Sequence, residues 1–199
     1  MAFRTGLSFP VGDATSAPGD SLGARYAWQV PLAFDIGAKI GPSFFLGAYL
    51  GFGFGAEGSD VRVEDLCDDD DDDLENDVSC SAITIRFGFE AQYHFMPGER
   101  MNGWVGYGAG WESATETITD RAQGYSESAT AHGFTYASLS GGLDFRSKTV
   151  GAGPYAEVAL GRFTRQTTEV DNIEAAKGDI SDPAWHAWIS VGLRMVLFP

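Results

Sequence analysis

Thirteen residues near the middle of the chain, Ile83-Thr84-Ile85-Arg86-Phe87-Gly88-Phe89-Glu90-Ala91-Gln92-Tyr93-His94-Phe95, alternate apolar and polar with a period of two. Successive side chains of a strand point to opposite faces, so this segment has one face of Ile, Phe, Ala and Tyr and another of Thr, Arg, Gly, Glu, Gln and His. A soluble sandwich turns its apolar face inward. Here that face is too long and too aromatic for a shared core, so it is read as meeting lipid. The polar face, with Arg86 and Glu90 in mid-strand, then lines a closed interior. Seven more segments alternate in the same way, which predicts an all-β, eight-stranded antiparallel up-and-down transmembrane β-barrel formed as one domain by all 199 residues.

Composition agrees where it bears on this. No run of about 18 apolar residues marks a transmembrane helix, and mean hydropathy is only −0.12. A barrel hides its membrane affinity in alternate positions, so a low mean does not count against it. The formal charge is −15, but Glu57 to Ala82 alone carry 12 acids against one base, Arg62. The acidity therefore belongs to one loop. It argues against nucleic acid or phosphate as a partner. Both cysteines, Cys67 and Cys80, lie in that loop and are expected to pair in an oxidising compartment. Met1-Ala2-Phe3-Arg4 runs straight into alternation with no apolar export segment, so the chain is read as a mature form with Met1 added.

The expected strands are roughly 2–10, 26–40, 44–56, 83–95, 104–113, 133–145, 150–164 and 185–198. The linkers alternate long and short. Outer-membrane barrels have short periplasmic turns and long extracellular loops, which places loops near 11–25, 57–82, 114–132 and 165–184 outside the cell and both termini in the periplasm. Trp28, Trp111 and Trp185 are expected at the outer interface, and Trp104, Tyr93, Phe95 and Phe44 at the inner one, as anchoring belts. In the sixth strand the alternation puts Tyr136 inside with Ser138, Ser140, Asp144 and Arg146. Pro31 and Pro154 lie within strands and each removes a ladder donor, so a bulge or a lumen-side water is expected at each.

In this pattern the chain resembles the small eight-stranded outer-membrane barrels of the OmpA/OmpX type. Its end, Ser190-Val191-Gly192-Leu193-Arg194-Met195-Val196-Leu197-Phe198, looks like the C-terminal signal read by the barrel-assembly machinery. The resemblance gives Gly192, Met195, Leu197 and Phe198 that role, although the family usually has aromatics where Met195 and Leu197 stand and usually ends on Phe rather than Pro199.

The inward charges are Arg4, Asp35, Lys39, Arg86, Glu90, Glu112, Asp144, Arg146, Glu157 and Arg194, five basic and five acidic. Buried charges must pair, and an eight-stranded barrel is just wide enough for its own side chains. They are therefore read as a structural plug, the alternative being a water-filled conduit. Asp68, Asp69, Asp70, Asp71, Asp72 and Asp73 form an acidic run suited to weak calcium binding, without the Gly or the final Glu of an EF-hand. No other cofactor is implied.

The three histidines are His94, His132 and His186. Lipid A deacylases carry His-x-Ser on a lipid-facing strand; this chain has no such triplet, so no catalytic residue is assigned. The expected function is a non-enzymatic, monomeric surface protein whose acidic loops bind cations, lipopolysaccharide or a macromolecule. A small channel and a lipid-modifying enzyme are the alternatives. A soluble lipocalin-like barrel shares the alternation, but the large apolar residues would overfill its interior.

Overall fold

The structure, a computed structural model, describes residues 1–17, 19–58, 78–171 and 173–197. The elements are β1 (Ala2–Gly12), α1 (Leu22–Arg25), β2 (Tyr26–Ile40), β3 (Phe44–Glu57), β4 (Val78–His94), β5 (Met101–Asp120), β6 (Tyr125–Ser147), β7 (Val150–Val170), β8 (Ile173–Asp179) and β9 (His186–Leu197). Sequential antiparallel pairing from β1 to β7, then β7 with β9 and β9 with β1, closes a ring of eight strands. β8 lies outside that ring and, among the described residues, pairs only with β7.

Alternation explains which face is out. Along β7 the pattern from Val150 to Gly161 is strictly exposed then buried, with Val158 and Leu160 outside and Tyr155, Glu157 and Ala159 inside. Phe89 is 80% exposed, Leu193 64% and Leu139 61%, while Asp144, Asp35 and Arg194 are buried. A water-soluble fold would invert that distribution, so the apolar ring is the surface that meets lipid.

The four strands β4 to β7 hold 17, 20, 23 and 21 residues. A tilted strand crosses a bilayer in about 9–11 residues. Their upper parts therefore rise about 20 Å beyond it as a continuous sheet. This corrects the expected loops. Most of 114–132 is the β5–β6 hairpin, much of 165–184 is the β7–β8 hairpin, and 78–82 begin β4. Polar residues hid these strands because both faces of the extension meet water.

A bulge at Thr164 re-aims β7. His132 lies opposite Arg165 and Gly133 opposite Phe163, leaving Thr164 extra. There β7 changes partner, from β9 (ending at Gly161↔His186) to β8, with Ile180 N–H donating to Thr164 O at 2.9 Å. Another bulge corrects the placement of Tyr136. Thr135 faces Gly161 but Ala137 faces Leu160, so Tyr136 is the extra residue. It turns outward, packs edge-on against Trp185 at 5.4 Å, and accepts a hydrogen bond on its carbonyl from Tyr107 Oη.

Neither strand proline sits in a bulge, the first of the two arrangements expected. Pro31 keeps its pairing with Gly53, while on its other side the β1–β2 ladder skips from Thr5↔Leu32 to Ser8↔Gln29 with no change of register. Pro154 pairs with Leu193, while the β6–β7 ladder skips from Gly142↔Tyr155 to Phe145↔Ala152. Each missing donor is absorbed by a short interruption of one ladder.

Candidate functional site

The interior is built by the inward set of the eight ring strands. Near the short-turn end, Arg194 Nη1 donates to Asp144 Oδ2 at 2.8 Å and Nη2 to Gln92 Oε1 at 2.6 Å. Its guanidinium stacks over Trp104 at 4.1 Å. Trp104 is 2% exposed, which corrects its expected place in the inner interface belt. It shares parity with Asn102 and the inward glycines of β5, so it faces the lumen.

At mid-height Arg4 is the hub. It reaches Asp35 Oδ1 through Nε at 3.2 Å and Nη2 at 2.8 Å, hydrogen-bonds Glu157 through Nη1, and lies 3.8 Å from Glu90. Arg86 adds a 3.4 Å contact to the other oxygen of Glu157. Water has almost no access here, since Arg4 is 4% exposed and Asp35 1%. Above this layer Thr84 Oγ1 donates to Gln29, and Ser190 Oγ to Ser8.

Glu112 then joins His186 Nε2 at 2.6 Å and accepts from Thr135 Oγ1 at 3.1 Å. The His186 ring stacks on Phe163 at 4.2 Å. His132 is elsewhere, stacked on Trp111 at 5.5 Å, so the two histidines form no joint site.

Eight of the ten expected lumen charges are therefore inside. Lys39 and Arg146 instead sit exposed at the short-turn rim, with Arg146 Nε donating to Lys148 O. The inner set is three arginines against five carboxylates, not a five-to-five balance.

An apolar cap at the end opposite the short turns was not legible in advance. Ala14, Leu22, Tyr26, Phe163 and Trp188 cluster there, with Tyr26 and Trp188 rings 5.8 Å apart. The turn α1 holds Leu22 in place: Ser21 Oγ accepts from Ala24 N–H at 3.1 Å, a cap for the helix N-terminus. Arg25 Nε bonds Asp20 Oδ1 at 2.5 Å and fastens the same loop. The available signal was the parity of Phe163 and Trp188, large apolar residues on otherwise polar faces.

Gly192 of the C-terminal segment faces Gly6 across the β1–β9 seam, and Met195 and Leu197 point to lipid. Phe198, Cys67 and the run Asp68 to Asp73 lie outside the described residues. Cys80 is on β4 opposite Ile118.

A closed ring with an apolar exterior and an ion-paired interior defines a transmembrane β-barrel. In fold the chain is similar to a major outer membrane protein from Thermus thermophilus, with a TM-score of 0.51 and 9% identity over 97% of each chain. It also matches Neisserial surface protein A (TM-score 0.43, 11% identity, 97% of this chain and 94% of that one). A third match is Ail, the attachment invasion locus protein of Yersinia pestis (TM-score 0.42, 10% identity, 97% and 96%). No protein-family profile matches the chain, and no curated protein matches it in sequence. At these identities the likeness to the Thermus protein speaks for the barrel fold and for nothing finer.

Proposed function

We propose that the chain is a non-enzymatic, monomeric barrel of the Gram-negative outer membrane. Its interior is a structural plug, and its raised extracellular sheet and acidic loop bind cations, lipopolysaccharide or a macromolecular partner. The packed Arg4 layer beneath an apolar cap carries this reading, because it leaves the surface beyond the bilayer as the accessible part. His186, the residue best equipped for acid–base work, is held inside against Glu112 and away from lipid. The test is conductance in a planar bilayer, with insertion verified independently. The expected record is silent. Discrete, reproducible steps would instead make the charged interior a conduit and put the channel reading first.

In the same reading the acidic run Asp68 to Asp73 draws divalent cations to the surface, where they bridge to lipopolysaccharide phosphates. A Cys67–Cys80 bond would restrain that loop by about 3 kcal/mol through loop-closure entropy. A thiol-reactive probe is expected to leave the non-reduced protein unlabelled and to label two sites after reduction; full labelling without reductant removes the disulfide from this account.

A further inference from the structure

We propose that the lumen's short-turn mouth is a binding site for a single-chain amphiphilic anion, a carboxylate on a short apolar body. A cavity of about 460 Å³ opens there, within the range of small-molecule sites. Of its 15 described lining residues none is Asp or Glu, although the chain carries a formal −15. Three cations line it instead: Lys39, Arg146 and Arg194. Arg100 and Lys148 lie beside Arg146 on the same rim, against one acid, Glu99. This concentrates positive charge at one end of an acidic protein.

Two buried groups make the mouth more than a charged rim. Arg194 is 3% exposed; both its terminal nitrogens are engaged, and its Nε has no hydrogen-bond partner among the described residues. His94 is 2% exposed, and its protonation follows from its neighbours. Met96 N–H donates to Asn102 Oδ1 at 3.0 Å, so Asn102 Nδ2 is the donor to His94 Nδ1 at 2.6 Å. Nδ1 therefore accepts, and Nε2 of the neutral ring carries the proton. Both side chains line the mouth and are held in place by these bonds, and a buried donor such as Arg194 Nε calls for an acceptor. Asp144 sits behind Arg194 and offsets its charge; Lys39 and Arg146 are the other two cations of the lining.

Apart from Gln92, which accepts from Arg194, the remaining walls, with Phe45 and Val196, are apolar. That excludes a bare inorganic anion as the best ligand. The volume excludes a two-chain lipid. A fatty carboxylate satisfies both limits.

The test uses the folded protein in neutral detergent with 8-bromooctanoate as probe. Trp104, stacked on Arg194, is the reporter, since bromine quenches indole emission at short range. Saturable quenching is expected, and it disappears in Trp104→Phe. Reversing both rim charges, Lys39→Glu with Arg146→Glu, is expected to weaken binding about tenfold or more. Lys39→Gln with Arg146→Gln weakens it less and serves if the reversed pair fails to assemble. A bromooctyl ammonium of equal length should not saturate, and phosphate should compete poorly. An unchanged affinity in the charge variants, or equal quenching by the cation, would mean partition into apolar surroundings. Phosphate competing as well as octanoate would mean an ion site only. Either result overturns the proposal.

Discussion

Arg4→Ala is expected to destabilise the barrel by about 3–5 kcal/mol, the scale for removing one partner of a buried ion network. Arg4 meets three carboxylates, Asp35, Glu157 and Glu90, and Arg86 reaches one of them at 3.4 Å. Without Arg4, two carboxylates are left buried with like charge beside them and no cation in contact. They must take up protons or admit water, and both outcomes cost stability. Urea unfolding in micelles, followed by the mobility difference between boiled and unboiled protein, measures the effect. Lys39→Ala is the control: Lys39 is at the exposed rim, so its loss is expected to change stability by less than about 1 kcal/mol. Equal stability of the two variants would mean that the Arg4 layer is solvated and is not a plug.

Gly88→Ala or Gly110→Ala is expected to cost about 3 kcal/mol or to prevent assembly. These glycines face each other across β4 and β5. A Cβ at Gly88 would lie 2.1 Å from Ala109 O and 2.6 Å from Gly110 Cα, and one at Gly110 would lie 2.1 Å from Phe87 O. The obstacles are backbone, so no rotamer change relieves them. The same arrangement recurs at Gly6↔Gly192 and Gly37↔Gly47. Each marks a place where two strands curve inward too tightly for a side chain. Gly51→Ala separates this effect from a general loss of glycine. Its added Cβ would meet nothing nearer than 3.8 Å, and the change is expected to be neutral or to stabilise by about 0.5 kcal/mol. If Gly88→Ala unfolded at the same urea concentration as Gly51→Ala, close backbone approach would not be what these positions require.

The site was partly legible. Arg4, Asp35, Glu90, Glu157, Asp144 and Arg194 were placed in the lumen by parity alone, and all six are buried there. Which of them meet was not legible. Arg4 and Glu157 are 153 residues apart, and only strand order and stagger bring them into contact. Tyr136 shows the limit of parity, because one inserted residue reverses the facing of its neighbour. Trp104 shows another: an aromatic near a strand end looks like a belt residue, and whether it is one depends on what lies inside at that height.

By itself the sequence determined the eight strands of the ring, the lipid-facing surface and most of the inward charges. Those follow from a two-residue period and from the cost of exposing charge to lipid, which are local facts. The tertiary structure decided how far the strands run beyond the bilayer, where bulges redirect them, and how α1 brings Leu22 over the lumen. It also decided that Lys39 and Arg146 stay at the mouth while three arginines share five carboxylates inside. Those outcomes depend on register between segments distant in the chain, and pairing register is a property of the closed ring rather than of any one strand.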